Sequence, residues 1–189
     1  MNDDKTHEEI FAPQYIDSSG PGSTLEFTKP YRLFVGKFIL AHEVMSVYDL
    51  GCGDAVVGTG IPLYGASYLG VDVIPERIER NRQQYAMGLH KFEAADLRHC
   101  YPSADLVLVK DVIQHWSNDE IVKWLAHLRA CPFKYALITN CSYGEVNGDI
   151  KTGGWRAIDL TKPPFSVGEI VFSWGEPNKD VVLIKGLGE

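Results

Sequence analysis

An α/β domain built on a mostly parallel sheet is the fold class that this sequence predicts. A short apolar run, Val47–Leu50, breaks into a glycine turn, and a second run about twenty residues later ends at Asp72. A strand, a glycine turn, a crossover and a second strand ending in an acid form a nucleotide-binding βαβ unit. With 189 residues and 45% hydrophobic content, the chain is predicted to be one domain with a sizeable core.

Seven apolar or β-rich runs predict the strands of this sheet. They are Val47–Leu50, Tyr68–Val73, Lys91–Leu97, Ala104–Lys110, Tyr135–Asn140, Glu169–Trp174 and Asp180–Lys185, the last two joined by Gly175–Lys179. Helices are predicted where apolar residues recur at helical spacing after a start signal. These are Tyr31–Glu43 after Pro30, Pro75–Tyr85, and a segment through Leu128 that follows the capping box Ser117–Glu120.

The glycine turn Gly51-Cys52-Gly53-Asp54 indicates which kind of nucleotide the βαβ unit would bind. A dinucleotide fingerprint is G-x-G-x-x-G, and its third glycine lets the helix pack closely on the strand. That position is Val56 here, and the next glycine is Gly58. A pyrophosphate also needs a helix N-terminus that closes on it. The spacing therefore argues against a nicotinamide-dependent oxidoreductase, and no Tyr-x-x-x-Lys signature supports one.

Asp49 before the Gly-x-Gly turn, Asp72, Asp96-Leu97 and the strand leading to Asp111–His115 together resemble the class I S-adenosylmethionine-dependent methyltransferases. The resemblance runs from Tyr31 to the C-terminus. It implies a Rossmann-like methyltransferase fold whose mostly parallel seven-stranded sheet ends in an antiparallel strand pair. It also implies S-adenosylmethionine as cofactor, with Asp72 on the ribose and Asp96 accepting from the adenine amine. The residues predicted to bind the cofactor are Asp49, Gly51, Cys52, Gly53, Asp72, Val73, Asp96, Leu97 and Lys110.

Residues 1–30 are predicted to form a flexible N-terminal segment before the methyltransferase domain at 31–189. The first ten residues are polar and predict a disordered leader. Tyr15, Leu25 and Phe27 flank a Gly-rich hinge, and in small methyltransferases of this class such a segment often folds over the cofactor as a lid. Gly20–Glu26 and Gly154–Leu160 also resemble a group of small bacterial and viral methyltransferases often found among polysaccharide genes.

His115 and Asp111 are the predicted catalytic residues, because they follow the fourth strand at the edge where parallel sheets bind ligands. If the acceptor is a hydroxyl, a base near neutrality helps remove its proton, and histidine has the suitable reference pKa. A histidine that braces the following helix is equally compatible with the sequence. Asp111 is a second base candidate, or it could orient His115 from four residues away.

The acceptor site is predicted in the long Gly- and Pro-containing segment Cys141–Val167, together with the stretch around Tyr15–Thr28. We expect the acceptor to be a small molecule with an oxygen nucleophile, such as a sugar or a similar polar metabolite. The residues predicted to bind it are Tyr15, Trp116, Trp155 and Arg156. Arg156 could grip an anionic group on the acceptor. The alternative is that both tryptophans belong to the core and that Arg156 pairs with a neighbour such as Asp159.

Charge and cysteine content bound the remaining possibilities. The net charge of −7 argues against a nucleic-acid enzyme with a broad basic footprint. The four cysteines contain no C-x-x-C pair, so we expect reduced thiols in a cytoplasmic protein and no metal. No apolar run approaches twenty residues, so no membrane span is expected. A cofactor-binding protein without catalysis stays open, since binding motifs survive the loss of chemistry.

Overall fold

In a computed structural model, which describes residues 5–175 and 179–186, the chain contains a seven-stranded sheet. The strand order is β3-β2-β1-β4-β5-β7-β6. The strands are β1 Ser46–Leu50, β2 Ser67–Asp72, β3 His90–Ala94, β4 Ala104–Val109, β5 Phe133–Asn140, β6 Glu169–Trp174 and β7 Lys179–Lys185. All seven predicted strands are present and the last two are antiparallel to their neighbours, so the predicted fold class is confirmed.

Two α-helices precede β1, one follows β1, one follows β2 and one lies between β4 and β5. They are α1 His7–Tyr15, α2 Lys29–Ala41, α3 Val56–Thr59, α4 Pro75–Tyr85 and α5 Asn118–Arg129. The chain divides into two compact units, Met1–Cys100 and Tyr101–Glu189. None of the helices in the described ranges is long and apolar enough to span a membrane.

In the first unit, β1 and β3 flank β2, and all three strands run parallel. Helix α4 begins at Pro75, where a first-turn proline belongs, and has the predicted bounds. Helix α2 also begins beside its proline, but its buried face is Tyr31, Val35, Phe38 and Ile39 rather than the predicted stripe through Phe34. The short crossover contains only the single turn of α3.

The N-terminal segment begins with a helix that the sequence analysis did not predict. Thr6 and Glu9 form a reciprocal capping box, in which each side chain bonds the other's backbone N–H, and α1 follows. His7 and Phe11 bury one face of this helix. The prediction of a disordered leader is therefore wrong for His7–Ile10, which are helical. Met1–Asp4 lie outside the described residues.

In the second unit, β5 pairs in parallel with β4 and antiparallel with β7, and β6 pairs with β7 across a bulge near Ile170. Helix α5 buries Ile121, Trp124, Leu125 and Leu128, the four residues predicted from their helical spacing. Within the linker predicted between the last strands, 176–178 lie outside the described residues.

The long segment after β5 contains no α-helix in Cys141–Gly168, all of which is described, and the predicted loop is confirmed. Asn147 organises it, because its Nδ2 donates to the backbone oxygens of Asp159 and Pro163 and its Oδ1 accepts from the Asp159 N–H. The loop also completes the start of α5. Thr152 Oγ1 accepts from the Ser117 N–H at 3.0 Å and donates to the Glu120 carboxylate, so it bridges the two ends of the predicted capping box.

Candidate functional site

The glycine loop begins directly after β1 and has the left-handed backbone that its residues favour. Gly51 has φ +80° and Gly53 has φ +57°, a region where glycine has no steric penalty. A Cβ on Gly53 would also collide with the hydroxyl of Ser19. The loop thus requires glycine at this position for two reasons, its backbone conformation and the N-terminal segment that lies on it.

Every backbone N–H from Gly51 to Val56 donates a hydrogen bond within the first unit. The N–H groups of Gly51 and Cys52 share the Val71 carbonyl, and the Ala55 N–H bonds the Cys52 carbonyl. The remaining three donate to side chains, at 3.0–3.3 Å: Gly53 to Asp72, Asp54 to Ser19 and Val56 to Asp54. Phosphate-binding loops work by aiming unused N–H groups at the anion. This loop has none to offer between positions 51 and 56.

Asp72 ends β2 and is only 8% exposed. Its Oδ2 accepts from the Gly53 N–H at 3.0 Å and its Oδ1 accepts from the Ile74 N–H at 3.1 Å. Burial raises the pKa of this carboxyl, and the backbone N–H bonds oppose the rise only in part. Val73 follows it, half-buried. Each Asp72 oxygen retains acceptor capacity for a further hydrogen bond.

Asn81 and Ser19 both hold the loop by hydrogen bonds, and the sequence analysis missed both. Asn81 Nδ2, on the buried face of α4, donates to the Gly53 carbonyl at 2.8 Å. Ser19 forms a reciprocal pair with Asp54, since its N–H donates to the carboxylate and its Oγ accepts from the Asp54 N–H. A polar asparagine one turn after Ile78 on an apolar helix face was the available signal for the first. Nothing in the sequence pointed to the second.

Three residues predicted to bind the cofactor have structural partners in the first unit. Asp49 is 6% exposed and accepts a hydrogen bond from the Tyr68 hydroxyl at 2.6 Å. Gly58 lets α3 lie against this pair, because a Cβ at position 58 would collide with both side chains. Leu97 is a core residue. The Cys52 thiol is buried, and burial together with the nearby Asp72 raises its pKa well above the usual range.

Asp96 follows β3 rather than ending it, since the strand stops at Ala94. Its Oδ1 accepts a hydrogen bond from Arg98 Nε at 3.0 Å, and its Oδ2 accepts one from Arg98 Nη2 at 2.5 Å. His7 Nδ1 lies 3.9 Å from Oδ1. Burial would raise the pKa of Asp96, but Arg98 lowers it. The ion pair with Arg98 speaks against the predicted bond to an adenine amine. Tyr15, the last residue of α1, is half-buried, with its ring 6.3 Å from that of Phe11.

In the second unit, Asp111 lies immediately after β4 in a left-handed conformation, with φ +56°. Lys110 Nζ is 2.6 Å from its Oδ2 and Lys179 Nζ is 2.5 Å from its Oδ1, while the Thr139 hydroxyl donates to Oδ1. Burial would raise the pKa of Asp111, but the two ammonium groups outweigh burial and hold it well below its usual range. Asp111 is therefore a poor base at neutral pH. Lys110, predicted to bind cofactor, is its ion-pair partner.

His115 lies in a short 3₁₀ turn, Ile113–His115, that the long loop holds in place. Its Nδ1 is 2.8 Å from the Gly154 carbonyl, and its own carbonyl accepts from the Gly153 N–H. Because a carbonyl only accepts, Nδ1 carries the proton and Nε2 holds the lone pair of the neutral ring. Burial lowers the pKa of His115. Gly154, not Asp111, orients this histidine, so the predicted orienting role of Asp111 is wrong.

Arg156 and Trp116 belong to the scaffold around this turn. Arg156 is 6% exposed, and its Nη1 donates to the Trp116 carbonyl at 2.5 Å and its Nη2 to Asn118 Oδ1 at 2.9 Å. Trp116 is 2% exposed and packs edge-to-face on Trp124. These positions speak against the predicted contacts of both residues with an acceptor. The alternative prediction, that Arg156 pairs with Asp159, is also wrong, because Asp159 contacts Asn140 and Lys162 instead.

Trp155, unlike the buried Arg156 and Trp116, is exposed to solvent. It is 49% exposed, and its ring lies 5.9 Å from that of Tyr143, which is 39% exposed. Trp155 directly follows Gly154, the residue bonded to His115. The long loop thus presents an exposed aromatic pair close in sequence and structure to the candidate base.

A family model described as a methyltransferase domain matches residues 48–130. That stretch contains the glycine loop, Asp72, Asp96, Asp111 and His115. Over these residues the chain is similar to methyltransferases. The search for similar curated proteins returned no match.

The fold is also that of solved methyltransferases, at identities that establish the fold alone. The N-methyltransferase NodS from Bradyrhizobium japonicum WM9, in complex with S-adenosylhomocysteine, is 12% identical, with a TM-score of 0.69 over 97% of this chain and 100% of that one. Magnesium protoporphyrin IX methyltransferase from Synechocystis PCC 6803 is 16% identical, with a TM-score of 0.63 over 81% and 80%. Human N-acetylserotonin methyltransferase is 15% identical, with a TM-score of 0.64 over 96% and 60%.

The polar groups of the first unit fit S-adenosylmethionine, the methyl donor of class I methyltransferases. This molecule has a ribose diol and an ammonium group but no phosphate. It therefore does not need the loop N–H groups, which already donate hydrogen bonds within the protein. The Asp72 carboxylate suits the diol, since its oxygens can accept from hydroxyls. The bonded N–H groups and the Asp72 carboxylate do not fit the pyrophosphate of a dinucleotide, which needs unused N–H donors. The hydrogen-bonding groups of the loop therefore agree with the match to a methyltransferase domain.

Proposed function

We propose that this methyltransferase transfers the methyl group of S-adenosylmethionine to a hydroxyl of a small polar acceptor such as a sugar, with His115 as general base. One observation carries the proposal: the Nδ1–H···O=C bond to Gly154 selects the tautomer whose Nε2 can accept a proton. Burial lowers the pKa of His115, which keeps the ring neutral at pH 7. A neutral ring is the form a base requires.

When bound, S-adenosylmethionine would supply the methyl group; its methyl–sulfur bond would break, with the electron pair passing to sulfur, as the bond to the acceptor oxygen forms. His115 accepts the hydroxyl proton at Nε2, and the Gly154 carbonyl stabilises the imidazolium through Nδ1–H. Asp72, which the Gly53 N–H holds in place, would accept hydrogen bonds from the ribose hydroxyls of the donor. Positioning supplies much of the acceleration of such a displacement, and the base adds about 10²–10⁴-fold.

The exposed pair Trp155 and Tyr143 supports a ring-shaped acceptor. Aromatic faces cover the apolar face of a ring, while the ring's hydroxyls stay accessible to polar groups. Arg156 is committed to Trp116 and Asn118, so the proposal does not rely on an anionic acceptor. Tyr15 and the lid role of the N-terminal segment stay predictions.

The test of the base is His115→Ala, assayed by S-adenosylhomocysteine release over a panel of sugars, nucleotide-linked sugars and small phenols. We expect kcat to fall about 10²–10⁴-fold with S-adenosylhomocysteine affinity unchanged. The parent rate should decline as the pH falls through a pKa lower than that of an ordinary histidine, because protonation removes the base. His127→Ala, on α5, is the matched control and should retain activity. Full turnover by His115→Ala would refute the role.

Calorimetry with S-adenosylhomocysteine and with NAD⁺ tests the cofactor. We expect binding of the first and none of the second, because the loop N–H groups are already bonded. Comparable binding of NAD⁺ would contradict the assignment of the loop. Binding of S-adenosylhomocysteine without turnover on any acceptor would favour a binding protein without catalysis.

A further inference from the structure

Arg77 is a buried guanidinium whose hydrogen-bonding capacity is largely unused. It lies on α4 and is 4% exposed. Its Nε and Nη2 have no hydrogen-bond partner among residues 5–175 and 179–186. Arginine carries five N–H donors and stays charged in proteins. Burying such donors unsatisfied is unfavourable, so their presence calls for a ligand that accepts from them.

The position of Arg77 identifies where that ligand would lie. Its Nη1 is 3.6 Å from the point where a Cβ on Gly53 would stand. Asn81, one turn further along α4, bonds the Gly53 carbonyl. The charge of Arg77 also acts on Asp72, where it opposes the rise in pKa caused by burial. Arg77 therefore faces the junction of the glycine loop and the acid at the end of β2.

A hydroxyl group satisfies both charged residues at this junction. Asp72 can only accept hydrogen bonds when ionised, and Arg77 can only donate them. A hydroxyl does both, because its O–H donates while its lone pairs accept. A phosphate ester would satisfy Arg77 but place its negative charge against Asp72. An apolar group would satisfy neither.

We propose that Arg77 donates hydrogen bonds to the ribose hydroxyl oxygens of the cofactor, so that Arg77 and Asp72 together select an intact diol. The inference rests on the proposed use of S-adenosylmethionine and makes Arg77 a specificity-determining residue. It excludes nucleosides that carry a phosphate on the diol, and it disfavours deoxynucleosides, which leave Arg77 and Asp72 incompletely paired.

The experiment is calorimetry of wild type, Arg77→Met and Arg77→Lys with S-adenosylhomocysteine, adenosine, 2′-deoxyadenosine and 3′-deoxyadenosine. Arg77→Met should weaken S-adenosylhomocysteine binding about tenfold or more, the size of one hydrogen bond to a charged group. The preference for adenosine over at least one deoxyadenosine should shrink by a similar factor. Arg77→Lys should lose part of both effects, because it keeps the charge without the planar fork. Arg82→Met, on the same helix, is the control and should change neither quantity.

Thermal melting without ligand separates a ligand-binding arginine from a structural one. Arg77→Met should melt at the same temperature or higher, because it removes a buried charge with unsatisfied donors. A lower melting temperature would overturn the inference, as would unchanged discrimination against both deoxyadenosines. Failure of wild type to bind S-adenosylhomocysteine would instead refute the proposed function. Wild-type binding that Arg77→Met leaves intact would refute only the inference.

Discussion

Asp72 and Asp111 each follow or end a parallel strand, one in each unit, yet their surroundings are opposite. Asp72 is held by two backbone N–H groups, and burial raises its pKa. Asp111 is held by two lysines and a threonine, which lower its pKa against the effect of burial. The sequence analysis assigned both to a ligand site because both are acids at strand ends.

The difference shows that position at a strand end does not define the role of an acid. Backbone N–H groups hold Asp72 and the positive charge of Arg77 acts on it, so a ligand with hydroxyl donors adds a favourable partner. Ammonium groups neutralise Asp111 and take both its oxygens, so it contributes to the structure of the second unit. The following predictions test this contrast.

The largest effect is expected on stability from Asp111→Asn. This change leaves Lys110 and Lys179 without their counter-charge and should lower the free energy of unfolding by about 3–5 kcal/mol. The wild-type contribution should be present above pH ~4 and should decline as the pH falls below that value, because the folded-state pKa is depressed. Urea unfolding monitored by tryptophan fluorescence measures both.

The control is Asp119→Asn, whose exposed i,i+4 pair with Lys123 should cost no more than about 0.5 kcal/mol. The double variant Asp111→Asn/Lys179→Met should recover part of the loss, since it removes one unpaired charge. A loss in the double variant equal to the sum of the losses in Asp111→Asn and Lys179→Met would mean that the two residues are not coupled.

A smaller effect is expected on binding from Asp72→Ala. Loss of a charged acceptor for the ribose should weaken S-adenosylhomocysteine at least tenfold, or about 1.4 kcal/mol. Calorimetry provides the measurement, and Glu93→Ala, an exposed acid on the neighbouring β3, should bind like wild type. An Asp72→Ala protein that is folded and binds normally would remove Asp72 from the site.

The pH dependence of binding should distinguish the two acids without mutation. Protonation of Asp72 removes an acceptor, so S-adenosylhomocysteine affinity should fall as the pH drops through a pKa above that of an ordinary aspartate. The affinity of Asp72→Ala should not show this fall. Calorimetry between pH 4 and pH 8 would decide, and a profile shared by both proteins would assign the titration to another group.

The smallest effect is expected from Ser19→Ala, which removes the hydroxyl that accepts from the Asp54 N–H. One neutral hydrogen bond contributes about 1 kcal/mol, so stability should fall by that order. Ser18→Ala is the neighbouring control. Hydrogen exchange at the Asp54 amide should accelerate in Ser19→Ala, and unchanged protection would show that another group satisfies this N–H.

Local sequence signals were sufficient for the elements of the fold. Pro75 and the Ile74–Ile78 spacing correctly predicted α4, and alternation of apolar runs with helical patterns predicted the sheet. The family could also be inferred from Asp49, Gly51, Gly53 and Asp72, because glycine turns and strand-end acids are encoded within a few residues. The helix α1 was missed because its nine residues carry Pro13 and little apolar periodicity, although its Thr6–Glu9 capping box was visible.

Tertiary structure decided which of the polar residues serve the site and which support it. Asp111 is neutralised by Lys179, 68 residues away, and Arg156 is buried against Trp116, 40 residues away. Ser19 lies on Gly53, and Gly154 orients His115, again across long separations. The residue types and their order set the fold and the family because strands, turns and helix starts depend on local backbone preferences. The charge state and accessibility of each side chain depend on partners that only the folded chain brings within hydrogen-bonding distance.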